Sequence, residues 1–106
     1  MAKPIFTIED LTHPDGTIFR SITFEIPGGI TTPTEFATAV AEIQIAGTLP
    51  VLLNGRGPVW GYGMLLHSAH PTPAVATFDP RIGYVVVQSH DARFAVGQIL
   101  SLETVA

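Results

Sequence analysis

The order of strand-like and helix-like segments constrains the fold of this chain more than any other feature of its sequence. Short apolar runs with the two-residue period of strands are interrupted by two segments with the pattern of helices. The segments follow one another as strands over 5–10 and 17–26, a helix that starts at Thr32, a strand over 49–53, a helix over 59–70, and strands over 74–78, 84–89 and 98–103. This order, ββαβαβββ, predicts an α/β fold with a mixed sheet and two helices.

The first helix has a clearly marked start. Thr32 is a good N-cap, Pro33 suits the first helical position, and Glu35 stands three residues after the cap. The apolar positions that we expect to face the core are Phe36, Ala39, Val40 and Ile43. We expect Gly47 to end this helix and Pro71 to end the second one.

Arg20 lies within the second strand among apolar residues. Counting in steps of two places it on the same face as Ile18, Ile22, Phe24 and Ile26. One interpretation is an arginine at the sheet edge whose aliphatic stem covers apolar surface while its head reaches water. The other is a guanidinium that contacts an anionic ligand.

The size and composition exclude several classes of protein. The chain has 106 residues, which suits one domain over 1–106. It has no cysteine, which excludes a disulfide scaffold, a cysteine nucleophile and a thiolate metal site. Its apolar runs are too short to span a membrane, and the first residues lack the apolar core of a signal peptide. We therefore expect no membrane partner and a cytoplasmic location.

The charge content points to an assembly rather than to a nucleic-acid binder. Charged residues make up 13% of the chain, against about 25% in an average soluble domain. The mean hydropathy is +0.38, so we expect part of the surface to be covered in a homo-oligomer. The net charge of −4 argues against binding of double-stranded DNA, which needs a basic surface.

The ionisable side chains in the second half of the chain are few and concentrated in motifs. Between Glu42 and Asp91 there are six Asp, Glu, Lys, Arg or His residues. They are Arg56, His67, His70, Asp79, Arg81 and His90. Because an ordinary solvated surface would carry more Lys and Glu, we expect these six to contribute to a site.

The segment Asn54-Gly55-Arg56-Gly57-Pro58 follows a buried strand and opens a helix. The free N–H groups of a helix start attract phosphate, and glycines allow the backbone to approach a ligand closely. Arg56 could add a bidentate phosphate contact. The plain alternative is a strand-to-helix turn with an exposed arginine.

The histidines and the Asp-Pro-Arg turn are predicted to lie at opposite ends of a hairpin. His67 and His70 are spaced i, i+3 and could share an ion or ligand, although each is also an ordinary helix-end residue. In an antiparallel hairpin, His70 and His90 should be neighbours. Asp79 and Arg81 should lie on the order of 20 Å away, since strands rise about 3.3 Å per residue. If these residues act together, they must do so across subunits.

The ordered set of motifs resembles the CRISPR ring nuclease 3 family of type III defence systems. The matching run over 54–90 is NGRGPVWGYGMLLHSAHPTPAVATFDPRIGYVVVQSH. It contains GRGP-x-W, H-x-x-H, an Asp-Pro-Arg turn and V-V-Q-S-H in the expected order and spacing. The resemblance is strong over about residues 50–98 and elsewhere extends only to the pattern of strands and helix.

The resemblance implies a fold distantly related to the Rossmann-like sensor domains of CRISPR systems, and it implies an activity. Family members form dimers that stack into tetramers or filaments and clamp cyclic tetra-adenylate between opposing dimers. They cleave this second messenger to linear oligoadenylates with a dependence on Mn²⁺. A Mn²⁺-dependent removal of RNA 3′-terminal adenylates is also attributed to them. Some members carry a fused P-loop domain; both a whole protein and one domain of such a fusion are compatible with this sequence, which has no Walker motif.

Residue roles follow from combining these motifs with the resemblance. The expected catalytic residues are His70, Asp79 and Arg81, supported by His67 and His90. The expected substrate contacts are Asn54, Gly55, Arg56, Gly57 and Arg20. The expected ligands of Mn²⁺ are His70, Asp79 and His90. The main alternative is a module that binds a cyclic oligoadenylate without cutting it, and a purely structural oligomerisation domain is a third reading.

Overall fold

The structure, a computed structural model, describes residues 2–100. Its elements, in chain order, are β1 (Ile5–Thr12), β2 (Ile18–Glu25), a 3-10 turn (Pro27–Gly29), α1 (Pro33–Glu42), β3 (Val51–Gly55), α2 (Val59–Ala69), β4 (Ala74–Asp79), β5 (Gly83–Ser89) and β6 (Ile99–Leu100). The predicted order ββαβαβββ is confirmed. Residues 101–103 of the last predicted strand lie outside the described residues. No helix within 2–100 is long and apolar enough to cross a membrane.

All six strands form one mixed sheet in sequential order, β1-β2-β3-β4-β5-β6. Strands β2, β3 and β4 are parallel to one another because α1 connects β2 to β3 and α2 connects β3 to β4, and each helix carries the chain back along the sheet. Strands β1, β5 and β6 pair antiparallel with their neighbours. The short connection between β4 and β5 forms the predicted hairpin, in which Asp79 pairs with Gly83.

Both helices pack on one face of the sheet. Buried residues of α1 and α2 join residues of β2, β3 and β4 in one helix-side cluster. Its fully buried members include Ile22, Phe36, Leu53, Leu65 and Val75. The Phe24 and Phe36 rings meet edge to face with their centroids 5.6 Å apart, a favourable aromatic arrangement. This layer fixes where α2 begins and ends relative to the sheet.

Helix α1 starts as predicted and ends earlier than predicted. The Thr32 hydroxyl accepts a hydrogen bond from the Glu35 amide at 3.1 Å and donates one to the Glu35 carboxylate at 3.0 Å. The helix ends at Glu42, because Ile43 has extended backbone angles. The prediction that Gly47 ends the helix was therefore wrong. Ile43 still packs against the helix-side cluster from its position just after the last turn.

The opposite face of the sheet carries a second buried cluster that the sequence pattern did not predict. Its members include Phe19, Leu52, Ala76, Val86, Phe94 and Leu100. The segment after β5 returns over this face, and the Phe94 ring lies 5.9 Å from the Phe19 ring. On the helix side, Ile22 and Phe24 are buried as expected, whereas Ile18 at the start of β2 is 42% exposed. The central strands are thus covered on both faces.

Candidate functional site

The glycine-rich loop after β3 is held tightly against Phe24. A Cβ atom added at Gly55 would lie 2.5 Å from the Phe24 ring, and one added at Gly57 would lie 2.6 Å from it. Real Cβ atoms do not approach other atoms this closely. The two glycines are therefore required by packing on Phe24, in addition to any close approach of a ligand.

Tyr62 fixes the same loop from the helix side. Its hydroxyl accepts a hydrogen bond from the Gly55 amide at 3.0 Å and donates one to the Gly55 carbonyl at 2.6 Å. Burial raises the pKa of the Tyr62 phenol. The Gly55 amide is thus already used within the protein, whereas Arg56 and Gly57 are exposed. Nearby, the Asn54 side chain donates to the Tyr84 hydroxyl at 3.4 Å.

Arg56 differs from the other cationic side chains of residues 2–100. Each of the others is within 3 Å of a carboxylate: Lys3 with Glu42, Arg20 with Asp10, Arg81 with Asp79 and Arg93 with Asp91. Arg56 is exposed and has no carboxylate partner among these residues. It borders an open groove of about 860 Å³, together with Gly57, Pro58 and Trp60. Its positive charge is available to an anionic ligand.

Arg20 lies away from this loop. Its Nε and Nη2 donate to the two Asp10 carboxylate oxygens at 2.9 and 3.2 Å, and its Nη1 donates to the Ala46 carbonyl at 3.2 Å. Arg20 pairs with Val51 at the start of β3, whereas the loop follows the end of that strand. The structure therefore does not bring Arg20 together with the other predicted substrate contacts, and its guanidinium links β1, β2 and the segment before β3.

Asp79 and Arg81 form a hydrogen-bonded ion pair at the hairpin turn. Both the amide and Nε of Arg81 donate to Asp79 Oδ1, at 2.8 and 3.2 Å, and Nη2 donates to Oδ2 at 2.9 Å. These bonds lower the pKa of Asp79, chiefly through the Arg81 side chain. Asp79 is consequently a weak proton acceptor. The Arg81 side chain is 84% exposed, and three of its five N–H groups remain free to bind another anion.

The loop and the Asp79–Arg81 pair occupy the same edge of the sheet. Strand β3 runs parallel to β4 with Val51 opposite Val75 and Leu53 opposite Thr77. Continuing this register places Gly55 level with Asp79 at the carboxyl ends of the two strands. Ligands of parallel α/β sheets commonly bind at this end. We call this the carboxyl edge, defined by Arg56, Gly57, Asp79 and Arg81.

The histidine pair lies at the other end of the same strands. Helix α2 runs back from the carboxyl edge, so His70 at its end lies near the start of β4. The end of β5 lies beside the start of β4. The His70 and His90 ring centroids are 5.2 Å apart at an interplanar angle of 85°, so their predicted proximity is confirmed. The His70 Nδ1 is 3.1 Å from the Gln88 side-chain oxygen. We call this the amino edge, defined by His70, Gln88 and His90.

His67 lies one helical turn before His70 and is exposed. The buried positions of α2 are Gly61, Leu65 and Ala69, so His67 points away from the sheet. It therefore projects from α2 toward solvent, whereas His70 at the end of the helix contacts β5.

The two edges are separated by the length of β4. The five steps of about 3.3 Å from Ala74 to Asp79 correspond to roughly 17 Å, which agrees with the predicted separation. Within residues 2–100 of one chain, no three His, Cys, Asp or Glu side chains form a cluster able to hold a metal ion. The predicted metal ligands His70 and His90 are adjacent, and Asp79 of the same chain is at the opposite edge.

Three residues that shape the site were not found by the sequence reasoning. Phe24 and Tyr62 hold the glycine-rich loop, and Gln88 contacts His70. Phe24 has the pattern of an ordinary core residue. Tyr62 follows Gly55 by seven residues, and Gln88 lies within the V-V-Q-S-H motif, but neither spacing reveals a contact that depends on how α2 and β5 pack.

Comparison with known proteins identifies a family for this chain. The sequence model of a family described as "CRISPR-associated protein (Cas_csx3)" matches residues 30–101. This chain belongs to that family. The matched range includes the glycine-rich loop, α2 and the β4–β5 hairpin, so it contains every residue of both edges.

A curated relative from Aquifex aeolicus (strain VF5) matches part of the chain. It is described as "Uncharacterized protein" and is 48% identical over 54 residues. The match covers 50% of this chain and 49% of the relative. The chain therefore spans about half the length of the relative in this match.

Proposed function

We propose that this Cas_csx3 family protein is a ring nuclease that cleaves cyclic tetra-adenylate to linear oligoadenylates and so regulates type III CRISPR signalling. The observation that carries the proposal is the division of the chemical groups between two opposite edges of one sheet. One edge offers cations and no free general base, and the other offers two imidazoles. A phosphodiester can reach both sets only where the carboxyl edge of one copy meets the amino edge of another.

The carboxyl edge supplies phosphate recognition. Arg56 has no carboxylate partner among residues 2–100, and Arg81 retains free N–H groups on a guanidinium that Asp79 holds in place. Guanidinium groups bind phosphate oxygens through paired N–H donors. A ring of four phosphates presents a negative charge to both arginines, and the overall charge of −4 favours a small anion over a long polyanion.

The amino edge supplies proton transfer. In the proposed step, the ribose 2′-oxygen bonds to the adjacent phosphorus and the bond from phosphorus to the 5′-oxygen breaks. His70 accepts the 2′-hydroxyl proton, and the leaving 5′-oxygen takes up a proton from water. The products are a 2′,3′-cyclic phosphate and a 5′-hydroxyl. Imidazole suits this role because its ordinary pKa lies near neutral pH, and Arg81 stabilises the charge on the phosphoryl oxygens.

The donor set at a meeting of two copies also fits Mn²⁺. With His70 as a metal ligand instead of the proton acceptor, the adjacent His90 and Asp79 of an opposing copy, which Arg81 keeps ionised, would complete the set, and the 2′-hydroxyl proton would pass to water. Mn²⁺ accepts imidazole and carboxylate ligands together. When bound, the ion would supply charge stabilisation at the phosphate. We propose homodimers that stack into tetramers or filaments as the assembly that brings the edges together.

The test is incubation of the purified chain with cyclic tetra-adenylate, with Mn²⁺ or with EDTA, followed by chromatography of the products. We expect Mn²⁺-dependent formation of linear di- or tetra-adenylate. Retention of the intact ring without cleavage would replace the proposal with a non-catalytic binding module. Shortening of RNA 3′-terminal adenylates with no ring cleavage would replace it with a deadenylase.

Arginine variants provide a matched control for this test. Arg81→Ala should lower turnover about 10²–10³-fold, as expected for loss of a charged donor at the phosphate. Arg93→Ala removes the same charge from an equivalent pair, with Asp91 at 2.8 Å, but Arg93 packs on Phe94 of the second cluster. We expect Arg93→Ala to retain wild-type turnover. Equal losses in both variants would contradict the role given to Arg81.

A further inference from the structure

Gln88 binds His70 at two points. The Gln88 side-chain oxygen lies 3.1 Å from His70 Nδ1, and the Gln88 side-chain nitrogen donates to the His70 backbone carbonyl at 3.0 Å. The two bonds tie the imidazole and the end of α2 to strand β5 as one unit. His70 is otherwise exposed, so the bond to Nδ1 and the edge contact with the His90 ring limit the rotation of its ring.

These two bonds also determine which ring nitrogen carries the proton. A backbone carbonyl only accepts hydrogen bonds, so the amide nitrogen of Gln88 must face the His70 carbonyl. The amide oxygen must then face Nδ1, and an oxygen acceptor requires a hydrogen on that nitrogen. Neutral His70 is therefore held as the Nδ1–H tautomer, with the lone pair on Nε2.

A β-bulge places Gln88 where it can make these contacts. Val75 pairs with Gln88 and Ala76 pairs with Val86, so Val87 has no partner across the ladder. Strict alternation would put Gln88 on the same face as Val86, which belongs to the second cluster. The extra residue instead puts Gln88 opposite Val75 on the helix side, beneath the end of α2. Bulges commonly re-aim a side chain in this way beside a functional site.

We propose that Gln88 is a positioning residue for His70, which holds the imidazole as the Nδ1–H tautomer and presents Nε2 as its reactive nitrogen. The catalytic consequence rests on the proposed function, whereas the tautomer does not. The same arrangement suits Nε2 as a proton acceptor or as a metal ligand, because a hydrogen bond to the other ring nitrogen orients histidines in both roles.

The test reads the tautomer directly in the full chain without metal. Long-range ¹H–¹⁵N spectra are recorded on protein with ¹⁵N-labelled histidine in EDTA at mildly alkaline pH. The signals of His70 are assigned by their absence from the spectrum of His70→Gln. We expect a protonated Nδ1 and an unprotonated Nε2, opposite to the tautomer that free imidazole side chains favour. A protonated Nε2 on His70 in the wild-type protein would overturn the proposal.

Two variants separate positioning from packing. Gln88→Met keeps the side-chain volume but removes both bonds, so His70 should shift toward the Nε2–H tautomer. Gln88→Glu keeps an acceptor for Nδ1 and should retain the wild-type tautomer. With cyclic tetra-adenylate, Gln88→Met should lower kcat about 10–100-fold with KM unchanged, and Gln88→Glu should keep more activity. Retention of the Nδ1–H tautomer in Gln88→Met would contradict the proposal.

The positioning role of Gln88 and the proposed function can be refuted independently. An Nδ1–H tautomer that depends on Gln88, in a protein that does not cleave cyclic tetra-adenylate, would remove the proposed function and leave the positioning of His70 in place. Cleavage by a protein whose His70 carries the proton on Nε2 would remove the positioning role and leave the proposed function in place.

Discussion

The attachment of the glycine-rich loop to α2 leads to a quantitative prediction. In Tyr62→Phe, the Gly55 amide and carbonyl both lose the hydroxyl that lies 3.0 and 2.6 Å from them. At about 0.5–1.5 kcal/mol for each hydrogen bond, the free energy of unfolding should fall by about 1–3 kcal/mol. For a domain near this size, each kcal/mol lowers the melting temperature by about 4–8 °C.

Tyr84→Phe is the matched control. The Tyr84 hydroxyl makes one long contact, 3.4 Å from the Asn54 amide, and such a distance corresponds to a weak bond. We expect this variant to lose less than about 0.5 kcal/mol. The assay is equilibrium unfolding in urea for both variants, with m compared to the wild type to verify that the unfolded state is unchanged.

The same pair of variants tests whether the loop matters for binding. Tyr62→Phe releases Gly55 and with it the backbone that carries Arg56, so its affinity for cyclic tetra-adenylate should fall, while that of Tyr84→Phe should not. If the two variants were equally stable and bound equally well, the reasoning that Tyr62 holds the loop would be refuted.

Two further predictions concern the fold. Asp15 has a pKa lowered to about 2, chiefly because the Thr17 amide donates to its carboxylate. The ionised carboxylate should therefore stabilise the fold fully above the ordinary pKa of aspartate, and this stabilisation should disappear as the pH falls through about 2. In thermal unfolding, Asp15→Asn should be less stable than the wild type near neutral pH and equally stable at strongly acidic pH. In α2, Gly63→Ala meets no atom within 4 Å and should gain up to about 1 kcal/mol from helix propensity. Gly61→Ala places its Cβ 2.8 Å from the Phe36 ring, so urea unfolding should show it about 1–3 kcal/mol less stable than Gly63→Ala; equal stability of the two would contradict the tight packing.

The order of the elements was predictable because it depends on local patterns. Strand runs, the Thr32 cap and the short Asp79–Gly83 connection are read within a few residues of sequence, and each is confirmed. The proximity of His70 and His90 followed from the hairpin alone, since an antiparallel pair must bring those two positions together.

The remaining features depend on contacts between residues far apart in the chain. The second cluster forms because Phe94 packs on Phe19, which strand periodicity cannot show. Arg20 is bound by Asp10 of the neighbouring strand, a pairing that requires the register of β1 and β2. The bulge that aims Gln88 at His70 is an irregularity of pairing with no composition signal of its own.

The proposed active site joins the carboxyl edge of one copy to the amino edge of another. The most direct measurement mixes two variants, His70→Ala and Asp79→Ala. Circular dichroism first verifies that each variant is folded, and each is expected to be inactive alone toward cyclic tetra-adenylate. A site shared between copies predicts that the mixture regains activity, because intact His70 of one variant meets intact Asp79 of the other. His70→Ala mixed with the double variant should regain none. A mixture no more active than its separate components would contradict a site shared between copies.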